Sequence, residues 1–501
     1  MKQLVHNIIY FLALGTIAVC MNVSVWACNL AWVVLLANWL VDWAVAPKER
    51  RRQVLRGFRE SRLLQAFVGL FLLQVVGLLW SQNLAYGLDH VRKCFPLLAL
   101  PMVLLTARPQ EDRRMLRAVL LCYVLGIVAA CIVGLVRLAS IPDLPYRDII
   151  PFVSHIRFSL NLCLAISLLL WQASRRGCPR WCRPVALLLA GCFLAFLFLL
   201  QSYTGVVILL ALAVVAAIRS RKRSLIALMA ALMLALTGAA AYLVVDYYHV
   251  EEPLRQKDDF VESGHYLFND INWQELEAQW PRVSAMPLDS LTPNGYGVRP
   301  TLLRYLNASG FSKDSAGVAQ LAPSDIEAIE KGIANPVYLK RMSLRRMAAV
   351  MLYEYENYRC YRSVKDFTML QRFELWRNGW KVFLQHPLFG TGTGDVVDAC
   401  HAQLEADQSP LAGTTKHTHC QYLTYLITFG LLGFALIVLL FVRGLKGHTS
   451  NFLLLVSLII FLISCLTEDT LETLAGDIFF ALFICLLSTC SSSTPCPTAS
   501  E

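Results

Sequence analysis

The chain has 501 residues, of which 56% are hydrophobic and 16% are charged, and its formal net charge is +10. Soluble domains carry nearer a quarter of charged residues, so this composition and a mean hydropathy of +0.52 exclude an ordinary soluble protein. The positive charge is spread over several short connections instead of being gathered on one face, and we therefore expect no nucleic-acid partner.

Apolar blocks long enough to cross a membrane recur along the chain, because a hydrocarbon core of about 30 Å requires about 20 helical residues. They predict an all-α, polytopic membrane helical bundle in contact with membrane lipids, with an uncleaved first span. We predict about twelve spans, near 6–25, 27–45, 63–80, 94–107, 117–137, 157–173, 184–200, 203–218, 225–245, 421–442, 452–467 and 475–490.

Lysine and arginine concentrate in alternate connections, which are 48–62, 108–117, 175–183, 219–223 and 443–446. The positive-inside rule places these connections, and both termini, on the cytoplasmic side. The opposite connections are not enriched in cations, and 468–474 is acidic. The sequence thus predicts a large loop on the outer side of the membrane.

The spans and this loop divide the chain into three predicted domains. Residues 1–245 form an N-terminal membrane domain of about nine spans, and 246–420 form the loop domain. Residues 421–501 supply about three more spans and a short cytoplasmic tail. In the loop the charges become frequent and balanced and the apolar runs shorten, which is typical of a small, mostly helical folded unit.

The sixteen cysteines lie mostly inside predicted spans, where cysteine behaves as a small apolar residue. Cys178 and Cys182 have no second pair nearby, so we expect no zinc site. Cys360 and Cys400 fall in the loop, where a disulfide between them stays open.

Arg372 stands out in the loop because of its helix neighbours. A helix is predicted near 370–384, ending before Pro387, because a residue that precedes proline avoids helical geometry. Arg372 shares its apolar face with Trp376 and Phe383, where a lone cation is costly unless it meets an anion. Two interpretations stay open, a structural ion pair with a loop carboxylate or a binding site for a phosphate group.

Two further motifs follow the helix. In Gly390-Thr391-Gly392-Thr393-Gly394-Asp395 the alternating glycines let the backbone approach a helix or a ligand closely. The spacing matches neither a P-loop nor a dinucleotide fingerprint, and the segment alone predicts a turn. His417 and His419 lie at the entrance to the tenth span; they are either surface polarity or, for His419, a base, since an imidazole with a pKa near about 6.5 suits deprotonation of a sugar hydroxyl.

Taken in this order, the motifs resemble the O-antigen ligase/polymerase family of bacterial cell envelopes. The resemblance lies in Arg372 with Trp376, in His386-Pro387-Leu388-Phe389-Gly390-x-Gly392-x-Gly394, and in His419-x-Gln421-Tyr422-Leu423. Residues 293–350, 154–159 and 202–205 are similar to a Bacteroidetes-type subgroup of that family.

The resemblance implies an integral-membrane, GT-C-like glycosyltransferase of the bacterial inner membrane that works by inversion, without a metal ion or other cofactor. Its donor would be a glycan on undecaprenyl diphosphate and its acceptor a lipid A-core sugar. The implied catalytic residues are His419 and Arg372, with Arg372, Arg157 and Arg304 on the diphosphate. The implied supporting residues are His417, Gln421, Tyr203, Gly392 and Gly394.

The chain departs from the family at two positions. Many members have Asn where this chain has Cys420, which affects how His419 is oriented. Many also have Arg where this chain has Tyr203, so Arg157 or Arg304 is expected to take over that cation's part at the phosphates.

Three other functions stay open. An O-antigen polymerase shares the donor but uses a lipid-linked glycan as acceptor, and a protein O-oligosaccharyltransferase differs in its acceptor only. A lipid-linked glycan transporter would show repeated halves with broken spans at mid-membrane, a pattern not seen in this sequence.

Overall fold

The computed structural model describes residues 2–106, 113–142, 144–175, 177–340, 343–364, 368–414, 416–448 and 451–488. Position 107 of the fourth predicted span, positions 489–490 of the last one, and parts of the cationic connections 108–117 and 175–183 lie outside these residues. The regular secondary structure of the described residues is almost entirely helical, which confirms the all-α, polytopic fold class.

The chain divides into two compact units. The first unit comprises Met1–Ala216, Leu375–Asp407 and Gly413–Glu501, and the second comprises Ala217–Glu374 and Gln408–Ala412. The helices of the first half of the chain are α1 Lys2–Cys20, α2 Val25–Val45, α3 Lys48–Glu60, α4 Arg62–Val76, α5 Leu84–Lys93, α6 Pro96–Thr106, α7 Arg113–Ser140, α8 His155–Ser174, α9 Cys182–Leu199, α10 Tyr203–Ser220 and α11 Arg223–Tyr248.

The second half of the chain begins with a small hairpin of β1 Val261–Glu262 and antiparallel β2 His265–Tyr266. The helices that follow are α12 Trp273–Val283, α13 Val298–Ala308, α14 Ser315–Ala319, α15 Pro323–Glu330, α16 Leu344–Tyr361, α17 Thr368–Gln385, α18 Val396–Ala406, α19 Gln421–Leu445, α20 Phe452–Thr467 and α21 Leu474–Ser488. The helix predicted at 370–384 is therefore confirmed as α17.

Each of the twelve predicted spans coincides with a helix. Eight helices in the described residues are long and apolar enough to cross a membrane. They are α2, α4 with the 3₁₀ turn that follows it, α7, α8, α9, α10, α11 and α19. Three more, α1, α20 and α21, are apolar but shorter. The fourth predicted span corresponds to α6, which is separated from α5 by a break at Cys94 and Phe95. The ring nitrogen of Pro96, the first residue of α6, cannot donate a hydrogen bond.

A second break interrupts α19, where Gly430 has φ 64° and ψ −173°. The break frees the carbonyls of Ile427 and Thr428, which would otherwise accept from residues one turn later in the helix. The backbone N–H of Thr391 donates to the Ile427 oxygen at 2.8 Å, and that of Gly392 donates to the Thr428 oxygen at 2.9 Å. A distant part of the chain thus replaces the missing helical bonds.

The exchange is reciprocal. The N–H of Leu431 donates to the carbonyl of Pro387 at 2.8 Å, and the N–H of Leu432 donates to that of Leu388 at 3.2 Å. Residues 386–394, called the inserted segment below, therefore satisfy both sides of the break. This satisfaction matters because an unpaired backbone group costs several kcal/mol at membrane depth.

The glycines of this region are required by close approach. A Cβ on Gly430 would lie 2.3 Å from the Leu388 carbonyl carbon, and one on Gly390, at φ +71°, would lie 2.4 Å from the Ile427 oxygen. A Cβ on Gly392, at φ +96°, would lie 2.8 Å from the carbonyl oxygen of Gly77, just after α4. The alternating glycines thus serve backbone packing against two spans.

The second unit has its own core, formed by α12, α13 and α15, and centred on Trp280, Leu306 and Ile329. Beside that core Glu262 of β1 is fully buried and Arg304 of α13 pairs with it. This pair closes the hairpin onto the helices.

We expect Gly430→Ala to destabilise the protein by about 3 kcal/mol, because it adds backbone strain to a steric clash. The measurement is the thermal unfolding midpoint in detergent. Gly191→Ala is the matched control, since a Cβ at that helical position meets nothing within 4 Å. Equal midpoints for the two variants would contradict the role given to the break.

Candidate functional site

His419 lies just before α19 and has an uncommon backbone conformation, with φ 51°. Its backbone N–H donates to Oδ2 of Asp469 at 2.8 Å. Asp469 belongs to residues 468–473, called the acidic turn below, which join α20 to α21. A non-glycine residue with positive φ persists only where its surroundings hold it, and here a carboxylate does so.

Asp469 is itself buried and held by hydroxyl groups. Its Oδ1 accepts from Oγ1 of Thr424 at 2.7 Å and lies 3.4 Å from Oγ1 of Thr418. Burial and the nearby Glu472 raise the pKa of Asp469 above its ordinary value, while the bonds from Thr424 and from the His419 N–H act in the opposite direction. The carboxylate is therefore a fixed anchor for residues 418–424.

Gln421 and Glu472 connect the same turn to two helices, α19 and α5. The side-chain oxygen of Gln421 accepts from the Leu471 N–H at 2.7 Å, and its nitrogen donates to Oε1 of Glu472 at 3.0 Å. The other oxygen of Glu472 lies 3.4 Å from Nδ1 of His90, near the end of α5, and both side chains are buried. The acidic turn is thus bound to α19 on one side and to α5 on the other.

Arg157 lies in the first turn of α8 and is half-buried. Its charge interacts electrostatically with Glu468 of the acidic turn and with Asp477, which is fully buried in α21. A cation and two carboxylates therefore lie on the side of the acidic turn formed by α8 and α21.

The element around Tyr203 reaches the same region. Ser202 donates to Oγ of Ser159 in α8 at 2.8 Å. Oγ1 of Thr204 lies 3.3 Å from Oγ1 of Thr467, the last residue of α20. Tyr203 is exposed between these contacts.

The structure thus gathers several predicted site residues around the acidic turn. His417 is half-buried and interacts electrostatically with Asp469. The residues that converge there are His417, His419, Gln421 and Arg157, with the element that carries Tyr203. Gly392 and Gly394 belong to the inserted segment, which fixes the first half of α19, before Gly430.

Arg304 belongs to the second unit, and its guanidinium is occupied. It donates to both oxygens of the buried Glu262, at 2.9 and 2.8 Å, and stacks on the ring of Tyr353 at 3.5 Å. Binding a diphosphate would require displacing Glu262. The structure therefore gives Arg304 a part in holding the second unit together.

Arg372 is half-buried on α17, one turn before Trp376 on the same face of the helix. Further along that face, a Cβ on Gly379 would lie between 3.1 and 3.2 Å from side-chain atoms of Leu423, Ile427 and Thr418. The second half of α17 is therefore packed tightly on the first half of α19, beside the residues that follow His419.

Among the described residues, one group has atoms close enough together to hold a metal ion, and it lies in the second unit. It consists of Asp258, Asp259 and Cys360, and Arg359 donates to Asp259 at 2.8 Å. Cys360 and Cys400, for which the sequence left a disulfide open, are both free thiols.

A cavity of about 540 Å³ opens beside the inserted segment in the first unit. Its lining residues include Trp80, Asn83, His386, Thr391 and Asp398. The volume lies in the range of small-molecule sites, and the lining offers one aromatic ring among hydrogen-bonding groups.

Sequence reasoning missed Asp469, Glu472 and His90. In the sequence, the acidity of 468–474 indicates only the orientation of the neighbouring spans. A sharper signal was available, since carboxylates confined to a short connection between two apolar spans are costly unless they are paired.

A comparison with family models matches residues 333–438 to the one described as O-antigen ligase. The matched part contains Arg372, the inserted segment and His419, and confirms the resemblance to the O-antigen ligase family. The protein is a multi-pass membrane protein whose residues 333–438 are similar to the O-antigen ligase family, and for that family a lipid-linked glycan and an acceptor are the general substrates. No curated protein matches the chain significantly.

We expect Asp469→Asn to speed amide hydrogen exchange at His419 by about tenfold, because an amide cannot accept on both sides as the carboxylate does. The measurement is exchange mass spectrometry on peptides that cover 416–421. Asp398→Asn removes one carboxylate that accepts from the Asn83 side chain, and serves as control. Similar exchange in both variants would show that Asp469 does not hold His419.

Proposed function

We propose, from the premise that residues 333–438 form an O-antigen ligase domain, that this protein transfers a glycan from undecaprenyl diphosphate to a lipid A-core sugar. The bacterial inner membrane is the proposed location, with both termini cytoplasmic and the acidic turn on the outer side. A cell-envelope enzyme on that side has no nucleotide sugars at hand, so a lipid diphosphate must supply the leaving group.

The proposed reaction is a single displacement with inversion. The acceptor hydroxyl attacks the anomeric carbon of the donor, the bond from that carbon to the diphosphate oxygen breaks, and the hydroxyl proton passes to the imidazole of His419. The products are the glycosidic bond, undecaprenyl diphosphate and a protonated histidine, which then returns its proton to water. A general base of this kind contributes about 10² to 10⁴ in rate.

The conformation of His419 is the observation that carries the proposal. Its positive φ is held by a bond to a buried carboxylate. Strained conformations of this kind collect where a reaction needs a group preorganised. Three of the other predicted residues, His417, Gln421 and Arg157, interact with the same acidic turn.

Cations are needed for the negative charge that develops on the leaving diphosphate, and arginine suits this because its planar fork binds phosphate oxygens in pairs. Arg157 is proposed for this task from its half-buried position at the start of α8. For Arg372 the proposal rests on the family resemblance. Arg304 is left out because Glu262 already occupies its guanidinium.

We expect His419→Ala to reduce glycan transfer by about 10² to 10⁴, because the acceptor hydroxyl loses its base. The measurement is the lipopolysaccharide ladder of a deletion strain carrying the variant, with the amount of membrane-inserted protein determined by immunoblot. His401→Ala is the control, since that histidine lies on α18 beside Glu405 and has no proposed role. A full ladder with normal levels of the His419 variant would refute the assignment.

The deletion strain itself distinguishes the acceptors. Accumulated full-length polymer on the lipid carrier supports transfer to lipid A-core. Single repeats on the core would instead identify a polymerase with a lipid-linked acceptor, and would overturn the proposed acceptor but not the proposed base.

We expect Arg372→Gln to lower kcat/KM for the lipid-linked donor by about 10², since a charge-assisted contact to the diphosphate is lost. The matched control is Arg377→Gln, which removes the same charge from an exposed position of the same helix. Initial rates with purified protein and varied donor are the measurement. Equal losses in the two variants would contradict a specific part for Arg372.

A further inference from the structure

A cavity of about 330 Å³ lies in the first unit at the end of the bundle where α4 begins and α19 ends. The acidic turn belongs to the opposite ends of the spans, because α19 begins beside it and runs away from it. The cavity is therefore separate from the candidate site. Its lining residues are Glu60, Ser61, Arg62, Leu63, Leu105, Arg443, Gly444, Lys446, His448 and Ser488.

The charge of this lining is strongly positive. Arg62, Arg443 and Lys446 are opposed by Glu60 alone. Within the part of the chain that the structure describes, none of these three cations has a carboxylate within 4.0 Å. The cavity therefore presents cations that no carboxylate of the described residues neutralises.

Arg62 lies at a position where the helix dipole disfavours a cation. It is the first residue of α4, whose N-terminal end carries a partial positive charge, so a cation there is disfavoured. Arg443 and Lys446, at the end of α19, are close by because Gly444 packs against Leu63, where an added Cβ would lie 2.9 Å from the Leu63 Cα. An anion in the cavity would reduce the repulsion between Arg62 and the N-terminal end of α4. It would also reduce the repulsion among Arg62, Arg443 and Lys446.

The helix that leads into the cavity has the character of a membrane-surface helix. In α3, Val54 is buried in the core and Phe58 packs against it. The same thirteen-residue helix carries six cations, which are Lys48, Arg50, Arg51, Arg52, Arg56 and Arg59. The apolar side of α3 thus packs on the protein, and a run of cations beside a span is typical of a segment attracted to anionic lipid.

We propose that this cavity binds the phosphate headgroup of an anionic phospholipid, with Arg62, Arg443 and Lys446 as its cationic ligands. The volume suits one headgroup, and the walls belong to four spans, α4, α6, α19 and α21. Basic pockets between spans on the cation-rich side of a membrane bind such headgroups. The proposal does not depend on the proposed glycan transfer.

The test uses purified full-length protein and native mass spectrometry with phosphatidylglycerol or phosphatidylcholine. The test variant combines Arg62→Gln, Arg443→Gln and Lys446→Gln. The control combines Arg221→Gln, Lys222→Gln and Arg223→Gln. It also removes two arginines and one lysine, but from another cationic connection. We expect one saturable phosphatidylglycerol adduct on the wild type, weakened on the order of a hundredfold in the test variant and less than about threefold in the control.

Each other outcome overturns the proposal. Equal weakening in both variants would mean non-specific attraction to charge. Equal binding of phosphatidylcholine would remove the requirement for an anion. Displacement of the lipid by inorganic phosphate at a similar concentration would show that a free phosphate, and not a lipid, is the ligand. Thermal unfolding midpoints verify that both variants are folded.

Discussion

The exchange of backbone hydrogen bonds between the inserted segment and the break in α19 is the constraint on which the first unit depends. A span can break in a membrane only where other backbone groups supply partners, because water is not available there. Here one stretch supplies four such partners. It also binds the end of α4, since Oγ1 of Thr393 donates to the Gln74 carbonyl at 2.7 Å. One loop therefore fixes two spans, and with them the half of α19 that begins beside His419.

The acidic turn depends on that fixed half-helix. Buried carboxylates are stable only with partners, and Asp469 and Glu472 take theirs from Thr424 and Gln421 of α19 and from His90 of α5. A fully satisfied polar network in a low-dielectric setting is rigid. Its rigidity extends to His419, whose backbone N–H is one of its donors. The hydrogen bonds that stabilise the buried Asp469 and Glu472 therefore also fix the backbone position of His419.

Much of the fold could be predicted because its signals are local. Long apolar runs indicate spans, and the proline after α17 marks where that helix ends. The site was only partly predictable, because its partners are distant in sequence. Nothing near Asp469 indicates that it meets a residue fifty positions earlier, and nothing near Arg304 indicates that Glu262 occupies it. The alternating glycines of the inserted segment indicate that its backbone approaches another part of the chain closely, but they do not indicate which helices it approaches.

Cys420 stands where the family resemblance predicts asparagine, and the entrance of α19 is ordered there in another way. Cys420 is the N-cap of α19 and makes no side-chain cap, whereas asparagine is among the best N-cap residues. In this chain the ordering of the helix entrance comes instead from Asp469, which accepts from the preceding N–H, and from Thr418, whose hydroxyl accepts from the Cys420 N–H at 3.3 Å. In this chain the backbone of His419 is therefore held by the acidic turn and not by a side-chain cap at Cys420. A cysteine at this position is compatible with a fixed backbone at His419.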